Sequence, residues 1–344
     1  SALYVKNHGD IEITHNQFIK PMKSSNVPSA IAITDAQNDL SEGTVNFQFN
    51  RIDNVGNVKF GVFLINKRQR FNFDNNIIEN CKIDAYNGYA CQLSMQYDSS
   101  PLKESFTLTN LTLRNCESHS QTGGGFGIWI EFINKIGHLT LKDCKFYGNK
   151  CGSNHGGGYG GAFASGNATV DKMTLTVEDC LFDGNKAAYC GGALSLQSTR
   201  PVEIKSSTFI NNEALNGQGG AIFIYPKYKN ELMPSCTISG CTFERNKDST
   251  LTGHAISFIQ APGAQTRFEE NCVFLDNCII DENSDRSKNG GYVISSQAPD
   301  FVFKDSEIKF TSYYHSTAAM ILSGSSNSDI HDIHFYQCCT YDNS

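Results

Sequence analysis

Apolar and polar residues alternate in short runs along this chain, and the runs come as a recurring pair. The first member reads apolar-x-apolar-x-x-Cys-x-Phe, as in Leu139, Leu141, Cys144 and Phe146 and again in Leu175, Val177, Cys180 and Phe182. Alternation with a period of two buries one face of a strand, and the one-residue shift before the Cys predicts a bend. The second member follows a Gly-rich box, as in Leu194-Ser195-Leu196, Ile222-Phe223-Ile224 and Ile256-Ser257-Phe258. Helix caps and long runs of helix formers are scarce, so the pattern predicts strands.

The pairs repeat in register. Phe-x-x-Asn occurs at Phe146 to Asn149, Phe182 to Asn185, Phe209 to Asn212, Phe243 to Asn246 and Phe274 to Asn277. Boxes follow at Gly160-Gly161-Ala162, Gly191-Gly192-Ala193, Gly219-Gly220-Ala221, Gly253-His254-Ala255 and Gly290-Gly291-Tyr292. Allowing another apolar residue for Phe extends the column to Phe18, Ile52, Ile78 and Leu113 upstream and to Ile308 and Phe335 downstream. The steps are then 34, 26, 35, 33, 36, 27, 34, 31, 34 and 27 residues.

Periods of about 20–50 residues mark solenoids, propellers or arrays. A propeller blade needs about four strands and hairpin turns between them, and regular Asn-Gly or Asp-Gly hairpins are missing here. The expected fold is all-β, a right-handed parallel β-helix of about eleven coils, its hand set by the bias of parallel crossovers. Coils of such a helix stack ~4.7–4.9 Å apart, so the Phe residues form an internal apolar ladder. Each Asn falls at a corner, where its amide reaches turn backbone and the Asn of the next coil. Paired Gly allows positive φ or close backbone approach at the next corner.

This pairing of Gly-Gly-Ala-apolar with Phe-x-x-Asn resembles the repeat of polymorphic outer-membrane proteins, which are bacterial surface adhesins, and of repeat-containing surface proteins in some protists. Clear copies cover roughly residues 140–295. The resemblance implies a surface-exposed β-helix used in adhesion and offers no enzymatic residues to carry over. Unlike the bacterial family, the chain has no C-terminal set of ~10-residue amphipathic strands for a membrane barrel.

No Pro/Ser-rich linker interrupts the repeat, so residues 1–344 are read as one elongated domain, a processed or excised piece of a longer surface protein. The net charge of −7, from 28 basic and 35 acidic residues, argues against nucleic acid. The short run Lys67-Arg68-Gln69-Arg70 reads as a solvated loop. No stretch approaches the ~18 apolar residues of a membrane helix, so this segment is not expected to insert in a membrane. Expected partners are a protein or glycan ligand on a host, a matrix or a neighbouring cell, with an extracellular or cell-surface location and no cofactor.

Thirteen cysteines form no Cys-x-x-Cys, which argues against a metal site. Cys144, Cys180, Cys241 and Cys272 share an inward column with Ser207, read as buried small residues, with Cys144–Cys180 and Cys241–Cys272 open as bridges. Cys81 and Cys116 occupy the Asn position of adjacent coils and raise the same question. Cys151 and Cys190, in the loops of adjacent coils, make the best candidate disulfide. The sequons Asn110-Leu111-Thr112 and Asn167-Ala168-Thr169 are close to chance in an Asn-rich chain.

The alternative is a carbohydrate-binding or polysaccharide-cleaving protein similar to the pectin lyases, because right-handed β-helices also carry pectin-cleaving enzymes. Gly253-His254-Ala255 with Arg286-Ser287-Lys288 looks like two elements of polygalacturonases, and Asn211-Asn212-Glu213 loosely resembles a third. The weak catalytic set is therefore Glu213, His254, Arg286 and Lys288. An inverting glycosidase needs two carboxylates about 6.5–9.5 Å apart, and the coil between offers Glu231-Leu232-Met233 where the family's paired Asp would fall. The bland reading makes His254 a replaced corner Gly. Asp143 and Asp179 share a column but Ser206, Gly240 and Asn271 continue it, so they read as exposed corner residues rather than calcium ligands. His119, His155, His331 and His334 show no ligand spacing.

Loops from the motif Asn to the Gly box measure 11, 6, 7, 7 and 13 residues, so one edge is irregular while the walls stay regular. A second edge carries Tyr225-Pro226-Lys227-Tyr228-Lys229, whose aromatics either stack on a sugar or pack on the wall below.

Overall fold

Each coil turns where a residue takes positive φ. At the first corner these are His15, Phe49, Asn75, Asn110, Asp143, Asp179, Ser206, Gly240, Asn271, Asp305 and Asp332. At the second they are Asn54, Asn80, Asn115, Gly148, Gly184, Asn211, Arg245 and Asp276. Asn, Asp and Gly dominate because they enter the left-handed region at least cost. The one-residue shift read in the sequence is this corner residue.

The computed structural model describes residues 3–6, 10–19, 29–34, 44–54, 61–66, 70–83, 89–96, 104–118, 128–133, 137–152, 158–165, 173–197, 201–225, 235–250, 253–259, 265–277, 291–296, 300–309, 317–322 and 327–336. One coil shows the plan. Met173–Glu178 runs to the corner at Asp179, Leu181–Asp183 runs to the corner at Gly184, Lys186–Ala187 is a short third strand, and Leu194–Gln197 follows the Gly box.

Stacking the coils makes three parallel walls. Strands after the Gly box form an eleven-stranded sheet, and the short third strands form a six-stranded one. The two arms that flank the first corner make a 20-stranded sheet, because Asp300–Lys309 and Asn327–Tyr336 each pass through the corner as one strand. Every pairing among the described strands is parallel, which with coil connections in between is the topology of a β-helix. The apolar column runs through all eleven coils in register: Phe18 pairs with Ile52, Ile52 with Ile78, Ile78 with Leu113, Leu113 with Phe146, and onward to Ile308 and Phe335.

At Gly191 and Gly192 the box is a backbone requirement at both positions. Gly191 has φ +69°, which disfavours any side chain. Gly192 has ordinary φ, but a Cβ there would lie 2.1 Å from Gly220 O and 2.4 Å from Glu213 N, so the next coil excludes it.

Candidate functional site

The motif residues are consumed inside the coil. Phe146, Phe182, Phe209, Phe243 and Phe274 are fully buried, and successive rings stack with centroids 4.7 to 4.9 Å apart. At the second corner, Asn149 Nδ2 donates to Leu113 O (3.0 Å) and to Asn185 Oδ1 (2.9 Å), while that oxygen also accepts the Asn149 N–H (3.2 Å). Asn185, Asn212 and Asn246 repeat the arrangement upward, and Asn277 Nδ2 donates to Phe243 O (2.8 Å). In Asn185, Asn212 and Asn246 all four lone-pair and proton positions of the buried amide are thereby filled, as burial demands.

The inward column two residues before the ladder solves the first corner with a different chemistry. Cys144 Sγ lies within hydrogen-bond reach of the Leu108 and Lys142 carbonyls (3.2 and 3.3 Å), and Cys180, Cys241 and Cys272 repeat the pattern. Ser207 Oγ fills the gap, donating to Lys205 O (2.8 Å) and accepting the Cys180 N–H (3.1 Å). The Cys144 thiol and burial push the Cys180 thiol far up, while burial pushes Cys272 to about 11. Cys144, Cys180, Cys241 and Cys272 are free thiols, as are Cys81 and Cys116, so the bridges left open for them are not formed.

The disulfide expected between Cys151 and Cys190 is likewise absent. Cys151 registers against Ala187, three positions short of Cys190. Its Sγ sits 3.7 Å from Tyr159 O, while Cys190 Sγ accepts the Gln218 N–H at 3.3 Å. Burial raises the Cys190 thiol to about 11.

Of the weak catalytic set, Glu213 and His254 lie among the described residues, and they point to different sides of the coil. Glu213 lies on the outer face of the six-stranded sheet between Lys186 (2.6 Å) and Lys247 (3.1 Å). Burial opposes its ionisation, but the two lysine hydrogen bonds outweigh it and hold the carboxyl below its ordinary value. His254 is sealed on the inside, with no exposed side chain. Arg286 and Lys288 lie outside the described residues. Glu213 and His254 therefore face different environments, and nothing couples them.

What His254 does meet is Asp248, a partner that the reading above did not name. Its Nδ1 accepts the Asp248 N–H (3.3 Å) and lies 3.4 Å from Asp248 Oδ1, both side chains being fully buried. Neither Asp248 carboxyl oxygen has a hydrogen-bond donor. The signal was present in the repeat: two residues after the motif Asn, neighbouring coils carry Ala187 and Ala214, and this coil carries Asp248. The second Gly of the box and the small residue opposite it are replaced in the same coil.

Beside the boxes, the outer face of the eleven-stranded wall is covered by aromatics. Tyr225 stacks on Phe223 (5.0 Å) and on Tyr159 (5.9 Å), which reaches it across an intervening coil, and Tyr189 meets Tyr159 edge-on at 5.2 Å. Burial raises the Tyr159 hydroxyl to about 12 and the Tyr225 hydroxyl higher still. Tyr225 thus packs on the wall rather than standing free, while Tyr189 and Leu215 remain exposed at 42% and 45%. Residues 226–229 of this edge lie outside the description.

Asp143 and Asp179 sit at corners of positive φ, their carboxyls on the coil's rim. His331 is exposed, its ring 2.8 Å from Asp332, and that hydrogen bond holds its pKa above the ordinary value. His119 and His155 fall outside the described residues. Among the described residues no three His, Cys, Asp or Glu gather as metal ligands, and no helix is long and apolar enough to cross a membrane. None of the curated proteins matches the chain. Residues 104–272, which hold the ladder positions from Leu113 to Phe243, match the family model for a right-handed beta helix region.

Proposed function

We propose that this chain is a non-catalytic β-helix segment at a cell surface or outside the cell, an adhesin or stalk whose irregular loop edge contacts a protein or glycan ligand. The observation that carries this reading is the division of labour along the coil. Each Phe, Asn and Gly of the motif is used in stacking, whereas the edge between the third strand and the box varies in length and leaves Tyr189 and Leu215 exposed. Buried aromatics with exposed neighbours are the usual make-up of contact anchors. The likeness of the repeat to surface adhesins supports the same reading.

The test is a glycan array and a cell- and matrix-binding assay on the purified chain, run beside a polysaccharide-depolymerisation screen with and without calcium. Binding without turnover is expected, weakened ~10-fold by Tyr189→Ala, the loss of about 1.4 kcal/mol that one anchor carries. Depolymerisation that disappears in His254→Ala or Glu213→Gln would overturn the reading in favour of an enzyme.

A further inference from the structure

The six-stranded wall carries a charge at every outward position. Its register aligns Lys82, Glu117, Lys150, Lys186, Glu213 and Lys247 in one outer column, while the alternate residues, from Ile83 to Asp248, point inward. Four lysines against two glutamates leave an excess of two positive charges in this column, on a chain whose net charge is −7. The carboxylates do not spread that excess evenly. Glu213 holds both Lys186 (2.6 Å) and Lys247 (3.1 Å), and Glu117 reaches Lys82 (3.7 Å). Lys150 lies between Glu117 and Lys186 in register and has no carboxylate partner among the described residues.

Lys150 and Lys186 therefore occupy facing positions one coil step apart, ~4.7–4.9 Å, and like charges placed opposite one another cost stability. Coil stacking does not require the pair, because the inward residues do the packing. The surface around it is open. Gly148 and Gly184 stand two residues before these lysines and Gly152 and Ala188 two residues after, so no outward side chain larger than a methyl flanks them along their coils. Acidic groups round the second corner are already engaged, Asp183 by Asn211 (3.1 Å) and Glu244 by Arg245. On the loop side, Leu215 (45% exposed) follows Glu213 by two residues and Tyr189 (42%) follows Lys186 by three, so apolar surface lies beside the cations.

We propose that this outer column binds a linear sulfated glycan, laid along the solenoid axis with one sulfate seated between Lys150 and Lys186. The inference rests on the surface reading above and names a ligand class for one wall. A straight column of five coil steps, about 24 Å, suits an extended chain. Its lysines recur at one or two coil steps, which matches charges carried by successive sugars and not the one charge per ~1.7 Å of duplex DNA. A sulfate between the two ammonium groups replaces their repulsion with charge-assisted hydrogen bonds, and Tyr189 and Leu215 offer contact to the apolar faces of the sugar rings.

Binding of the purified chain to heparin, with each variant checked for fold by circular dichroism, tests this. The wild-type chain should bind heparin, release it as salt rises from about 0.05 to 0.5 M, and fail to bind heparin stripped of its sulfates. Lys150→Gln should weaken binding about tenfold, the loss of one charge-assisted contact, whereas Lys145→Gln, which removes an exposed lysine from the neighbouring wall, should leave it unchanged. Glu213→Gln should tighten binding, because it frees Lys186 and Lys247 for the ligand, a gain that a purely structural column would not show. A wild-type chain that ignores heparin, equal binding of the desulfated form, or equal weakening by Lys145→Gln and Lys150→Gln would each overturn the proposal. Failure on heparin with Tyr189-dependent binding to cells or matrix intact overturns this proposal alone, and failure of both overturns the surface reading with it.

Discussion

At the scale of single residues, the corners decide stability through satisfied polar groups. Asn212 accepts from the Asn185 backbone and side chain and donates to Phe182 O and Asn246 Oδ1, all buried. Asn211, one residue earlier, is exposed and reaches only Asp183 and Arg245. Asn212→Ala should therefore cost several kcal/mol, at about 1–3 kcal/mol for each buried group orphaned, while Asn211→Ala, which loses only exposed bonds but puts Ala at φ +54°, should cost about 1–2 kcal/mol in urea unfolding. Equal effects would show that the amide ladder carries no net energy. The thiols add a pH dependence. Cys190 and Cys272 are raised from 9.0 to about 11 by burial, so they hold protons more tightly folded than unfolded. Their contribution is complete below about pH 9 and is lost as pH rises through about 11, at up to about 1.4 kcal/mol per pH unit each. Melting temperature should fall steeply above pH 9, and Cys272→Ser, a change the column already accepts at Ser207, should flatten the fall.

At the scale of the coil, the two corners take Asn or a small thiol or hydroxyl in most coils, Leu111 of the fourth being an exception, and the choice trades places along the chain. Coils five to nine place Asn149 through Asn277 at the second corner and Cys or Ser at the first. Earlier coils reverse this, with Asn16, Asn50 and Asn76 bonded in a ladder at the first corner and Cys81 and Cys116 buried at the second. The Phe-x-x-Asn frame made the second ladder legible from sequence. It hid the first, because an Asn two residues before an Ile does not announce itself without the register. The same limit applies at His254, legible as a broken box but not as half of a pair. His254→Gly alone leaves the Asp248 carboxyl buried without its ring, and Asp248→Ala alone removes the group the ring faces, each costing about 3–5 kcal/mol. Together they restore the Ala and Gly of neighbouring coils, so the double variant should be no less stable than either single one. Additive losses in thermal unfolding would mean that the two side chains act apart.

For the molecule as a whole, parallel stacking confines strand pairing and the ladder contacts to the coil above and the coil below. The number of coils and their register were readable from spacing alone, because a one-residue slip would carry every ladder residue to the outside. Contacts that skip a coil, such as Tyr159 with Tyr225, were not readable, since they depend on how far a loop side chain reaches across the wall. Nearest-neighbour coupling makes stability a sum of coil and junction terms. Removing one ring should therefore act locally. Phe209→Ala opens a void between Phe182 and Phe243 and should cost about 3–5 kcal/mol. Amide exchange should quicken at Thr208–Ile210 and in the flanking Leu181–Asp183 and Thr242–Glu244, with little change at Arg51–Asp53, five coils away. Equal acceleration at Arg51–Asp53 would instead make the solenoid one cooperative unit, in which the junctions outweigh the coils they join.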